Sequence, residues 1–213
     1  MKILITGFDP FGGESINPSY EAIKRIKLDN SDIELVTVEI PTVFDKCIDT
    51  LDRKIKETEP DIVICTGQAG GRFPITVERV GINIIDARIA DNEGNQYIDA
   101  PIKSDGESAY FSNLPIKAIV KSLINNKIPA EVSNTAGTFV CNNILYGLLY
   151  LINTKYPHIK GGFIHVPFLL EQVTDKRNTP SMSLETITEA MKIIVETAAV
   201  TETDISEQGG AIC

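Results

Sequence analysis

Residues 130–168 read AEVSNTAGTFVCNNILYGLLYLINTKYPHIKGGFIHVPF, and this stretch decides the fold. Ala130–Ser133 starts a strand. A small-residue turn at Gly137 leads into Cys141–Tyr156, a strongly apolar run that reads as a buried helix. Gly162–Val166 is an apolar strand stopped by Pro167. Working outward, the alternation repeats. Lys2–Thr6 is a strand ending at Gly7, and Asn17-Pro18 pairs an N-cap with proline at the first helical position. That helix turns Tyr20, Ile23 and Ile26 inward. Ile33–Ile40 alternates apolar and polar residues, as a half-buried strand does. Val43–Thr58 is a helix with Val43, Cys47, Leu51 and Ile55 on one face. Asp61–Thr66 is a strand, Ile75–Asp86 further strand structure, Pro115–Asn126 a helix and Leu184–Ala199 the last helix. Asp91–Gly106 is polar and turn-rich, hence a surface loop or short hairpin. Thr201–Cys213 reads as a frayed acidic tail.

Strands alternating with helices predict a three-layer α/β/α fold with a mostly parallel twisted sheet covered on both faces. The whole chain, 1–213, reads as a single domain, since it holds no repeat, linker or low-complexity segment. In such folds the site lies at the carboxyl ends of the strands. The segments around Gly7–Gly13, Gly67–Gly71, Gly137–Cys141 and His165–Pro167 are therefore expected to converge.

Lys and Arg number 20 against 29 Asp and Glu, a net charge of −9. Such a surface repels phosphate backbones and anionic lipids, which argues against nucleic-acid and membrane partners. No apolar run is long enough to span a bilayer. The apolar stretch after Lys2 is too short for a signal-peptide core, so a cytoplasmic location is expected. The four cysteines, Cys47, Cys65, Cys141 and Cys213, include no C-x-x-C pair, so disulfides and structural zinc are not expected. His158 and His165 are the only histidines and lie far from paired carboxylates, so neither a catalytic metal nor a cofactor is expected.

The loop GFDPFGG after the first strand matches neither G-x-G-x-x-G nor a Walker loop, and its two phenylalanines suit an apolar ligand better than a triphosphate. Cys141 opens a long helix, whose start offers unpaired N–H groups and positive potential that stabilise a thiolate. Taken alone it is better explained by a buried structural cysteine. Cys65, inside the strand DIVICT, fits that description better. His165 ends an apolar strand, whereas His158 follows Pro157 in a surface turn. Cys141 with His165 gives the nucleophile–base pair of a thiol hydrolase. A third group must orient the imidazole. Glu78, inside an apolar segment, is a candidate, although it could equally pair with Arg79. Asp86 and Arg88 are rivals, and spacing does not choose among them.

The motifs TGFDPFGG (6–13) with Asn17-Pro18, CTGQAGGR (65–72), ITVERVGIN (75–83), DARIADNEGN (86–95), NTAGTFVCNNILYG (134–147) and GGFIHVPF (161–168), in this order, resemble the pyroglutamyl-peptidase I, or pyrrolidone-carboxylate peptidase, family. The resemblance runs nearly end to end. It implies a cytosolic cysteine exopeptidase that removes an N-terminal pyroglutamyl residue, folded as one α/β/α domain and assembled as a homotetramer. By position it implies Cys141 as nucleophile, His165 as general base and acid, and Glu78 as the residue that orients His165. It implies Phe8, Phe11, Thr42, Gln68, Ile89, Phe139 and Val140 as the pyroglutamyl pocket. The chain departs from the family pattern at Gly81, at Ala90 and at Asn142-Asn143, none of which removes a catalytic group.

Pyroglutamate is an uncharged lactam, so its pocket is expected to be apolar with a few polar groups for the ring N–H and C=O. Phe8, Phe11 and Phe139 are the expected walls, and Gln68 or nearby backbone the expected donor and acceptor. The Cys141 N–H is the expected oxyanion donor, with Arg88 as a second contributor. A phosphorylase-like small-molecule enzyme and a non-catalytic binding protein stand as alternatives on the same scaffold.

Overall fold

The computed structural model describes residues 1–210. Its central sheet has six strands in the order β2-β1-β3-β8-β4-β7. They are β1 (Lys2–Phe8), β2 (Glu34–Ile40), β3 (Ile62–Gln68), β4 (Ile75–Glu78), β7 (Ala130–Ser133) and β8 (Lys160–Val166). Strands β5 (Val80–Ile82) and β6 (Ala109–Phe111) form a separate antiparallel pair. The helices are α1 (Pro18–Ile23), α2 (Lys46–Thr58), α3 (Ile116–Asn125), α4 (Val140–Thr154) and α5 (Leu184–Val200).

Strand alternation divides the interior into two cores. Ile3, Ile5, Ile62, Ile64, Ile164 and Val166 face one way, against Ile23 of α1, Ile119 of α3 and Ile194 of α5. Leu4, Val63, Cys65 and Phe163 face the other, against Leu51 of α2 and Leu148 of α4. These are the two outer layers expected of an α/β/α fold. The sheet is mostly parallel, but β4 runs antiparallel to β8, and β7 follows β4. The reversal matters for the site. The short loop leaving β3 enters β4 at the same edge of the sheet, beside the end of β8.

Three local expectations are corrected. Helix α2 begins at Lys46 rather than Val43, because Asp45 adopts φ 56°, outside the helical region, and the Phe44 N–H donates to Asp91 Oδ2. Helix α1 ends at Ile23, so Ile26 packs on the core from the following turn. The tail expected to fray is held to the body through its described part, residues 201–210. Asp204 accepts from the N–H groups of Lys117 and Ala118 at 3.1 and 2.9 Å. It thereby caps α3, whose N-cap residue Pro115 has no side chain for the purpose. Arg79 donates to the Gly209 carbonyl at 2.7 Å. Cys213 lies outside the described residues.

No helix among the described residues is long and apolar enough to cross a membrane.

Candidate active site

The pleat of β8 turns His165 toward the α2/α4 side, where it is buried beside Phe163, ring centroids 4.7 Å apart. Thr76 of β4 lies directly opposite His165 in the register. Glu78, two residues further on, therefore points to the same side. Its Oε1 sits 2.8 Å from His165 Nδ1. Glu78 is fully buried, and Arg72, in the loop between β3 and β4, donates to the same Oε1 at 2.6 Å. Arg72 also donates to Thr76 Oγ1 at 2.6 Å and to the Thr135 carbonyl at 2.8 Å. The alternative pairing of Glu78 with Arg79 is not formed, since Arg79 turns to Gly209. Asp86 and Arg88 line the cavity but have no side-chain hydrogen bond among the described residues, and it is Glu78 that meets His165.

Cys141 lies in the first turn of α4. The N-cap residue Phe139 is extended and offers no side-chain cap, so the first-turn N–H groups are left without intrahelical acceptors. The following Asn142 is buried and bonds across to β5, accepting from the Ile82 N–H at 3.0 Å and donating to the Ile82 and Ile84 carbonyls. This clamp fixes the helix start. Gly67 leaves room for the thiol, because a Cβ there would lie 3.0 Å from Cys141 Sγ and 2.8 Å from Phe163 Cζ.

Cys141 and His165 open onto one cavity of about 470 Å³. Of the residues assigned to the pocket, Phe11, Gln68, Ile89 and Phe139 line it, and so does Arg88. Phe8, Thr42 and Val140 are buried and do not line it. Phe139 is held edge-on by Phe44, centroids 5.3 Å apart, and leans on Phe11 at 6.2 Å. The expected convergence of strand-end loops is met.

Burial and charge act on the site together. Burial pushes the Cys141 thiol up to about 12; the Glu78 carboxylate adds to this and Arg72 opposes it. Burial also lowers His165, against the hydrogen bond and charge of Glu78. For Glu78, burial acts upward, but the hydrogen bond and charge of His165, with Arg72, outweigh it and hold the carboxyl below its ordinary value. At Cys141 burial thus works against the thiolate that the helix start favours. Cys47 and Cys65 are fully buried and likewise pushed up to about 12. His158 is exposed. Among the described residues no group of three or more His, Cys, Asp or Glu could hold a metal ion.

Sequence reasoning missed Arg72 and Phe168, which both line the cavity. Arg72 stands within the motif CTGQAGGR, but its target becomes visible only once β4 is known to reverse. Phe168 occupies the space beside Gly70, where a Cβ would lie 2.2 Å from its Cζ.

A cysteine at an uncapped helix start and a histidine oriented by a buried carboxylate, in one cavity at the sheet edge, define a cysteine-type hydrolase on an α/β scaffold. The comparisons with known proteins make this specific. The family model described as pyroglutamyl peptidase matches residues 1–201, and the chain belongs to that family. A pyrrolidone-carboxylate peptidase of Clostridium perfringens is 58% identical over 213 residues, covering 100% of both chains. One from Thermosipho africanus is 59% identical over 191 residues, 90% of this chain and 93% of that one. The crystal structure of pyroglutamyl peptidase I from Bacillus amyloliquefaciens matches with a TM-score of 0.94 at 52% identity, over 97% of this chain and 99% of that one. A mutant pyrrolidone carboxyl peptidase from Pyrococcus furiosus matches with a TM-score of 0.89 at 44% identity, over 93% and 98%.

Proposed function

We propose that this chain, acting as one peptidase domain, hydrolyses the bond after an N-terminal pyroglutamyl residue, with Cys141, His165 and Glu78 as its catalytic group. The observation that carries the reading is the 2.8 Å contact of Glu78 with His165 on the cavity that also holds Cys141. Glu78 fixes the tautomer with the proton on Nδ1, which leaves Nε2 as the base. As Sγ attacks the pyroglutamyl carbonyl carbon, its proton passes to His165. The developing imidazolium is stabilised by Glu78, and the carbonyl oxygen by the Cys141 N–H, with Arg88 as a second donor. His165 then protonates the departing amine, leaving a thioester. Water, deprotonated by His165, releases pyroglutamate.

Phe11, Ile89 and Phe139 suit the uncharged ring, and Gln68 supplies its polar contact. Phe8, Thr42 and Val140 are assigned to the same pocket on the family resemblance alone. No metal or cofactor is needed for these steps. We further assign a cytoplasmic homotetramer, on the reduced cysteines and the family resemblance. Sedimentation of the purified protein tests the assembly.

The deciding experiment is release of a fluorescent amine from pyroglutamyl, prolyl and glutamyl conjugates. Only the first is expected to react, and Cys141→Ser is expected to stay folded with almost no turnover. Full activity of that variant would sink the mechanism.

A further inference from the structure

We infer that Thr76 is a positioning residue that keeps the proton of neutral His165 on Nδ1, by taking up an Arg72 N–H that would otherwise be free to turn to that nitrogen. The inference rests on the catalytic reading above and identifies what, beside Glu78, holds the base in its working form.

The hydrogen bonds around Arg72 can be counted donor by donor. A guanidinium only donates, and its Nη1 carries two hydrogens. Three atoms lie within reach of Nη1: Glu78 Oε1 at 2.6 Å, Thr76 Oγ1 at 2.6 Å and His165 Nδ1 at 3.5 Å. Nη2 donates to the Thr135 carbonyl at 2.8 Å, which anchors the guanidinium in this arrangement. The two near acceptors take both Nη1 hydrogens, and none is left for Nδ1. Nδ1 instead lies 2.8 Å from Glu78 Oε1. An ionised carboxylate only accepts, so the proton of that bond belongs to Nδ1.

The sheet fixes the place of Thr76. It is buried directly opposite His165 in the register of β4 and β8, and it lies two residues before Glu78. The three side chains therefore leave one face together. The Thr76 hydroxyl accepts from Arg72, so its own proton goes elsewhere, and Glu78 Oε1 lies 3.3 Å away. Without that hydroxyl the count changes. One Nη1 hydrogen loses its acceptor in a buried setting, where an unpaired N–H is costly. The lone pair within its reach is that of Nδ1 in the other tautomer. In that form the proton sits on Nε2, the atom that must be bare to act as base.

The chain holds only two histidines, so labelling them with nitrogen-15 gives a readable spectrum, and His158→Gln assigns the His165 signals. In a neutral imidazole the protonated and the bare nitrogen resonate far apart, and their averaged positions report the tautomer. In the folded wild-type chain Nδ1 is expected to carry the proton. Thr76→Val keeps the shape without the hydroxyl. In it the two shifts are expected to move toward each other, with kcat for the fluorescent pyroglutamyl conjugate falling about 10- to 100-fold and KM almost unchanged. Thr76→Ser keeps the hydroxyl and is expected to restore both readings. Thr76→Ala, which needs no extra room, decides the matter if Thr76→Val folds poorly. His165 shifts that stay at their wild-type positions in the folded variant overturn the inference whatever kcat does, because a merely structural Thr76 would leave the tautomer alone. Shifts that Thr76→Ser does not restore overturn it too. A wild-type His165 with its proton on Nε2 overturns the reading of Cys141, His165 and Glu78 as the catalytic group.

Discussion

Glu78 is a carboxylate with no exposure, and His165, Ser133 and Arg72 hold it below its ordinary value against burial. An uncompensated charge there would be strongly destabilising. Glu78→Gln keeps the shape but can present a donor to His165 Nδ1. It is expected to lower kcat by up to roughly 10⁴-fold while KM changes little. Wild-type kcat with a lowered melting temperature would remove Glu78 from the mechanism. Arg72 has a different signature. The groups facing His165 are Glu78 on β4, Arg72 on the preceding loop and Cys141 on α4, with Asp86 and Arg88 also in the cavity. The Arg72 cation lowers both His165 and Cys141, so its removal lets both rise. Since the proposed base His165 must be neutral to act, Arg72→Met is expected to move the acid limb of the kcat/KM profile to higher pH, and Arg72→Lys to restore most of it. An unmoved acid limb would make Arg72 a purely structural tether. Cys141 and His165 were legible in the sequence because each sits where a strand or turn delivers it to the sheet edge. Arg72 was not, because it acts on a side chain brought to it only by tertiary pairing.

Most element boundaries followed from apolar periodicity, yet the direction of β4 did not. A four-residue strand buried on both faces reads the same in either direction. Its reversal puts Thr76 opposite His165 and Glu78 one diagonal away, which no count of sequence spacing contains. The small pair β5–β6 was half legible, since β6 lies in a stretch of mixed polarity with no turn signal of its own. Gly81 shows what that pair does. A Cβ there would lie 2.9 Å from the Tyr146 backbone N and Cα, so β5 presses on α4 through a position with no side chain. Helix backbone does not yield as a flexible side chain would. Gly81→Ala is expected to cost about 1–3 kcal/mol in denaturant unfolding. Because Asn142 ties β5 to the turn that carries Cys141, the folded variant is also expected to lose kcat. A variant of unchanged stability and turnover would show that the pair is not pressed against the helix.

Dividing the interior into two cores buries polar and titratable groups at the sheet face that carries the site, and this gives the whole molecule a pH window. His165 is held below its ordinary value of 6.5, so the unfolded chain takes up that proton first as pH falls. Stability is therefore expected to decline below about pH 6.5. Glu78 is also held below its ordinary 4.5, and its contribution is lost as pH falls further, through its folded value. The alkaline side has the opposite origin. Cys47 and Cys65 are fully buried and pushed from 9.0 up to about 12, so above pH 9 the unfolded chain releases two protons that the folded chain retains. Each such group removes about 1.4 kcal/mol of stability per pH unit, or about 2.7 kcal/mol for the pair. Two pH units then remove about 5 kcal/mol, which is comparable with the whole stability of an ordinary domain. Cys141, Tyr146 and Tyr156 are raised as well and act in the same direction. Urea unfolding is thus expected to give a plateau between about pH 6.5 and 9 and a steep fall above it. The thiols are separable from the tyrosines by substitution. Cys65→Ala lowers stability at every pH through the small void it leaves, but it also removes one titrating group, so the fall between pH 9 and 10.5 is expected to be shallower by about 1.4 kcal/mol per unit. An unchanged alkaline slope in Cys65→Ala would show that this thiol ionises alike in the folded and unfolded chains, which its complete burial forbids.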